Sequence, residues 1–195
     1  MKAILKICIL VFTIQSYAQI IIPAEKFGST ENENKTSSSY YYKDVNGVFN
    51  KFLGTWRYQT STELFEITFR KKEREKTGMG YYEDYIVSRY KYIKNGQTIY
   101  NTYNQGIISV AQENDDDYYV FGSGIKSSEL NSIQLLYDEP DLEIDFDGRL
   151  VLTYNPVTQK LEWKVTSLSK PDPNNPNKRI TPFKVPTRMT LTKVN

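Results

Sequence analysis

Residues 85–103, YIVSRYKYIKNGQTIYNTY, carry the pattern that decides the fold class. Tyr, Ile and Val dominate both halves, and such β-branched and aromatic side chains suit a pleated, half-buried surface. Asn95-Gly96 between them supplies the two positive-φ positions that a tight hairpin turn requires. The stretch therefore reads as two antiparallel strands, Tyr85–Ile93 and Thr98–Tyr103. Just upstream, Phe65, Ile67 and Phe69 alternate with Glu66, Thr68 and Arg70, the period-2 signature of a strand with one buried face.

The same texture continues downstream. Asp147-Gly148 is read as a turn joining Leu142–Phe146 to Leu150–Tyr154, and Asn155-Pro156 as a turn into Leu161–Thr166. That last run buries Leu161, Trp163 and Val165 on one face. A Pro/Asn-rich loop, Lys170–Pro182, precedes a closing strand, Met189–Val194. Before the first strand, Val48, Phe49, Phe52 and Leu53 share one face of a short helical turn. Beyond the first 18 residues, no helix-period segment of ten residues occurs. Nine to eleven short strands joined by hairpin turns predict an all-β antiparallel domain, either a barrel or a β-sandwich.

Residues 1–18 read as a secretory signal peptide. Lys2 and Lys6 supply its positive end, Ile7–Ile14 its apolar run, and Ser16 and Ala18 the small residues before a cut ahead of Gln19. The apolar run is far shorter than the roughly 20 residues of a membrane-spanning helix. Cys8 lies inside that run rather than after the cut, so it is not the lipidated Cys of a lipoprotein. The predicted address is secreted or periplasmic, with no membrane span after cleavage. Residues 19–47 start apolar at Ile20–Ile22, turn polar (GSTENENKTSSSYYYKD), and read as a flexible leader. The domain is then 48–195.

Composition excludes whole classes of chemistry. Among 195 residues there is no His and one Cys. That removes the imidazole base, the Ser–His and Cys–His nucleophile pairs, the His-ligated metal and the internal disulfide. Loss of Lys2 and Lys6 leaves basic and acidic residues in balance, which argues against nucleic acid as a partner. The densest basic stretch, Arg70–Lys76, reads as the solvated end of a strand.

In Asp141–Gly148, Glu143, Asp145 and Asp147 fall near the ligand positions of a calcium loop, but Tyr154 stands where its bidentate Glu belongs. The acids also alternate with Leu142, Ile144 and Phe146, as on a strand with a wet outer face. Asp115–Asp117 reads as a loop tip. No metal and no cofactor are expected. Carboxylate-pair hydrolysis is the one enzymatic route left open, yet the acids that can be placed fall on polar strand faces or in loops. Glu63 and Glu162 flank apolar runs without a sequence feature that pairs them. No catalytic residue is expected.

Tyr is the informative excess, at 16 residues against 9 Phe and 2 Trp. Tyr81, Tyr82, Tyr85, Tyr90, Tyr92, Tyr100 and Tyr103 cluster around one hairpin. They form either a ligand-facing aromatic wall or ordinary strand packing with hydroxyls at the rim.

Phe52-Leu53-Gly54-Thr55-Trp56, standing after a helical turn and before the first strand, resembles the Gly-x-Trp signature of lipocalin-type barrels. The wider pattern continues with Tyr90–Gly96 (YKYIKNG) and Asn101. Over about residues 48–195 it is similar to a group of uncharacterised secreted bacterial lipocalin-like proteins. The resemblance implies a barrel of about 8–10 strands with a short helical turn at its N-terminal end and Trp56 as its plug. It also implies a basic residue near the last strand covering the indole, for which Arg188 is the match, by a cation–π contact. The second lipocalin signature loop is absent, as is the disulfide.

The implied role is binding of a small apolar or amphiphilic ligand, with Phe65, Ile67, Phe69, Tyr90, Tyr92 and Trp163 as candidate cavity lining. The alternative is a barrel filled by its own side chains that works as a structural or interaction module.

Overall fold

Alternation along Phe65, Ile67 and Phe69 becomes the inner face of a long strand whose pairing builds the rest of the molecule. The computed structural model describes residues 19–29, 31–32, 35–104, 119–125, 128–141, 148–167, 171–172, 175–179 and 183–194. In chain order the strands are β1 (Ile20–Pro23), β2 (Tyr40–Lys43), β3 (Gly54–Gln59), β4 (Glu63–Lys76), β5 (Tyr82–Lys94), β6 (Gln97–Asn101) and β7 (Val120–Ile125). They continue with β8 (Ser132–Tyr137), β9 (Gly148–Asn155), β10 (Lys160–Ser167), β11 (Pro171–Asp172), β12 (Asn175–Arg179) and β13 (Arg188–Lys193). Helix among the described residues is confined to two three-residue 3-10 turns, Ala24–Lys26 and Thr102–Asn104.

Eight strands close on themselves in the order β5-β4-β3-β13-β10-β9-β8-β7, with β7 returning to β5. The closing rungs are Ile86–Gly122, Val87–Phe121 and Ser88–Val120. This closure decides for the barrel over the sandwich. Closing the ring also removes the exposed edges that an open sheet would present. Asn95, at φ 51°, and Gly96, at φ 77°, make the expected β5–β6 hairpin turn. Asn155 Oδ1 accepts from Val157 N and Thr158 N, turning β9 into β10 as expected of Asn before Pro.

The inner face is continuous. Phe65 lies opposite Tyr92, Ile67 opposite Tyr90, and Leu152 opposite both Ile133 and Trp163. All seven are almost wholly buried. The expected turn at 48–53 is built from successive i→i+3 bonds, Asn50 N to Gly47 O and Phe52 N to Phe49 O. It drops Phe49 and Phe52, both at 0% exposure, onto the end of the core that also holds Trp56.

Three sequence expectations change. Gly148, expected as the second residue of a hairpin turn, sits in β9 instead, facing Tyr137 of β8 and Ser167 of β10, while Asp147 and the expected strand Leu142–Phe146 lie outside the described residues. A Cβ on Gly148 would stand 2.9 Å from Tyr137 O and 2.8 Å from Phe183 Cζ, so glycine serves close packing, not a bend. The Lys170–Pro182 stretch carries the small ribbon β11–β12 rather than loop alone. Residues 19–47, expected as a flexible leader, hold two strands. β1 runs parallel to β2, and β2 runs parallel to the start of β5.

Asp84 explains the ordering of that leader. Fully buried on β5, it accepts from Tyr41 Oη at 2.5 Å, Asp44 N at 3.0 Å and Arg74 N at 3.0 Å. One carboxylate thus ties β2 and the bulge of β4 to the barrel. Asp44 in turn accepts from Val48 N (2.7 Å) and Phe49 N (3.3 Å), fixing the plug turn. Burial raises the Asp44 pKa above its usual carboxylate value, against the lowering effect of those two amides. Nearby, Phe27, Tyr42 and Tyr81 pack ring on ring at centroid distances of 5.0–5.6 Å.

Asp84→Asn turns one acceptor oxygen into a donor facing an existing donor. We expect it to lower the unfolding free energy by about 2–3 kcal/mol. Amide-exchange protection over Tyr40–Lys43 is expected to fall before that of β4. Unchanged protection there would show that Asp84 does not seat the leader.

Candidate ligand-binding site

The six residues expected to line a cavity do meet, but on one another. Phe65 lies 5.5 Å from Tyr90, 6.5 Å from Tyr92 and 5.1 Å from Trp163, centroid to centroid. Trp163 also meets Tyr137 edge-on at 5.3 Å. Tilted and edge-to-face contacts at these separations are what packed aromatic cores contain. Ile67 and Phe69 belong to the same buried cluster.

Tyrosine hydroxyls, which a wet cavity would leave for a ligand, are taken by the protein. Tyr92 Oη donates to Glu63 Oε1 (2.9 Å), Tyr90 Oη to Asp138 O (3.3 Å), and Tyr137 Oη to Glu139 Oε1 (2.6 Å). Tyr100 Oη reaches both Glu139 Oε2, at 3.0 Å, and Asp141 Oδ1. Burial pushes the Tyr90, Tyr100 and Tyr137 hydroxyls well above the usual tyrosine value, so they stay donors. The hairpin tyrosines do not form one wall: Tyr85 packs outside with Val87 and Phe121, and Tyr81 with the leader.

Trp56 is 1% exposed, and its Nε1 donates to Phe52 O at 2.8 Å. The basic residue over its face is Lys193, whose Nζ stands 5.4 Å from the ring centroid; Arg188 does not hold that place. Register is the reason. β13 meets β3 only at Thr192–Arg57 and Lys193–Trp56, whereas Arg188 lies at the far end of β13 opposite Lys164. Gly54, at φ 99°, clears the way: a Cβ there would come within 3.3 Å of Lys193 Cε.

Two acids were missed from the sequence, and strand parity was the available signal. Asp84 shares the inward parity of Ile86, Ser88 and Tyr90, and Glu139 that of Ile133, Leu135 and Tyr137. Glu139 is 1% exposed and accepts from Lys184 N (2.8 Å) and Val185 N (2.9 Å) besides the two tyrosines. Asp141 binds Lys184 Nζ, and that contact with the Tyr100 bond holds its carboxyl below the usual range. These carboxylates converge, but each is occupied by donors of the chain itself. Glu63 is engaged by Lys94 and Tyr92 and lowered by them, while Glu162 accepts from Thr190.

β3 and β13 part beyond the Arg57–Thr192 rung, and there a groove of about 450 Å³ opens. Tyr58, Glu162, Trp163, Lys164, Arg188, Met189 and Thr190 line it. Arg188, expected over Trp56, therefore stands here, on a groove that the core residue Trp163 also lines.

The candidate calcium run 142–147, Asp115–Asp117 and residues 1–18 lie outside the described residues. Among the described residues no group of three or more His, Cys, Asp or Glu side chains could hold a metal ion.

A family model matches residues 1–194. The chain belongs to the DUF6705 family, a family of unknown function. No curated protein and no solved structure matches it. For this DUF6705 member, then, the barrel, its aromatic core and the β3–β13 groove are what a functional reading has to rest on.

Proposed function

We propose that this chain is a secreted, lipocalin-like, non-enzymatic barrel whose lumen is occupied by its own side chains, and which works as a binding module through its outer surface. Secretion rests on the reading of residues 1–18, and the likeness to lipocalins on Gly54, Trp56 and the cation over the indole. The observation that carries the proposal is the commitment of the inner tyrosines. Phe65, Tyr90, Tyr137 and Trp163 contact one another, and the Tyr90 and Tyr137 hydroxyls end on acceptors of the chain. A lumen ligand would have to displace these contacts, and truncating or shifting large core side chains costs several kcal/mol.

The absence of His and the occupied acids support a role without catalysis. General acid–base work needs a group free to exchange a proton with substrate.

Methyl chemical shifts decide the matter. Titration of the cleaved protein with dodecanoate or a neutral detergent is expected to leave the Ile67, Leu152 and Leu161 methyl signals in place. Saturable shifts at those three interior methyls would overturn the filled-lumen reading in favour of a hollow, ligand-carrying barrel.

A further inference from the structure

Between β3 and β13, paired at only two rungs, the groove's lining is mixed in a particular way. It combines the nearly buried, inward-facing Trp163 and Met189 with outward-facing Lys164 and Arg188. Two of its features are costly for a surface with no task. Lys164 and Arg188 stand directly opposite each other on β10 and β13, and like charges in that position destabilise a sheet. No acidic group forms an ion pair with either among the described residues. The groove's own carboxylate, Glu162, is engaged at 3.1 and 3.0 Å by the Thr190 hydroxyl instead. The Trp163 Nε1–H is buried without any acceptor, although buried polar groups nearly always have a partner.

We propose that this groove is a binding site for a small carboxylate-bearing ring compound. The carboxylate sits between Lys164 and Arg188, where the guanidinium can hold it through two parallel bonds. The ring lies against Tyr58 and Met189, and a polar atom of the ligand accepts from Trp163 Nε1–H. The volume of about 450 Å³ falls in the range of small-molecule pockets. The ligand relieves the repulsion between the two cations, so affinity comes from a strain that the free protein already carries. This inference rests on the outer surface being the working surface of a filled barrel.

The test uses 2-naphthoate as probe, with 2-naphthalenemethanol as its neutral counterpart and acetate as the charge without the ring. The readout is the Trp163 indole N–H resonance. Saturable shifts with 2-naphthoate, at least about tenfold weaker with either control, are expected. Lys164→Gln and Arg188→Gln should each weaken 2-naphthoate by about tenfold or more while leaving the denaturation midpoint unchanged or slightly raised.

Equal affinity for the acid and the alcohol, unaltered affinity in both variants, or no saturable shift at millimolar probe overturns the site. Shifts at the Ile67 and Leu152 methyls with a silent Trp163 N–H overturn the filled-barrel reading beneath it as well. The two failures are thus told apart by where the signals move.

Discussion

Replacing Trp56 with alanine is expected to lower the free energy of unfolding by about 3–5 kcal/mol, the usual range for emptying the site of a large buried aromatic. Three connections go at once. The ring leaves its edge-on contact with Tyr154, 6.5 Å away, and Phe52 O loses the indole N–H. Lys193, whose stem crosses the open side of Gly54, loses the face its ammonium covers. The plug turn carrying Phe49 and Phe52 is then held mainly by the Asp44 carboxylate.

Denaturant titration at constant slope measures the loss. A midpoint within error of the parent would show that the indole caps nothing. Lys193→Met keeps most of the stem and removes only the charge, so it should cost no more than about 1 kcal/mol. That contrast separates the packing of the plug from the cation above it.

How much of this was legible in the sequence depends on range. Period-2 alternation in β4 and Asn95-Gly96 in the β5–β6 turn are local, and both read correctly because a strand's two faces and a turn's φ angles are fixed by neighbouring residues. Which cation covers Trp56 is not local. It depends on a register between β3 and β13, strands more than 120 residues apart, and the sequence favoured Arg188 where the fold places Lys193. The leader was misread because polar composition was taken as a lack of order. Its order comes from one distant acceptor, Asp84, which satisfies Tyr41 and Asp44 together.

Of the candidate site, all six expected lining residues proved interior. Interior position alone does not distinguish a lined cavity from a filled one, because alternation reports which face is buried and not what volume is left. The groove was out of reach for the same reason as Lys193, since it exists only where two sequence-distant strands part.

Glu139→Ala should be the most damaging polar substitution in the protein, at about 3–5 kcal/mol. Its carboxylate is 1% exposed and receives four donors: two tyrosine hydroxyls and the amides of Lys184 and Val185. Each buried donor left without an acceptor costs on the order of 1–3 kcal/mol, and water admitted to the cavity recovers part of that. Glu139→Gln should fall between the parent and the alanine variant, because an amide keeps one acceptor oxygen but turns a donor toward groups that are donors themselves.

Amide exchange locates the effect. Protection at Lys184 and Val185 is expected to drop further than in β4, since these two amides lose their acceptor directly. The sign of the change also bears on function. A carboxylate buried for chemistry is held at the expense of stability, and removing it commonly stabilises the fold. A loss of several kcal/mol identifies Glu139 as the clasp that fastens residues 183–185 over the tyrosine end of the barrel. A gain in stability would instead reopen the Glu139–Asp141 pair as a catalytic centre, with Tyr100 already bridging the two acids.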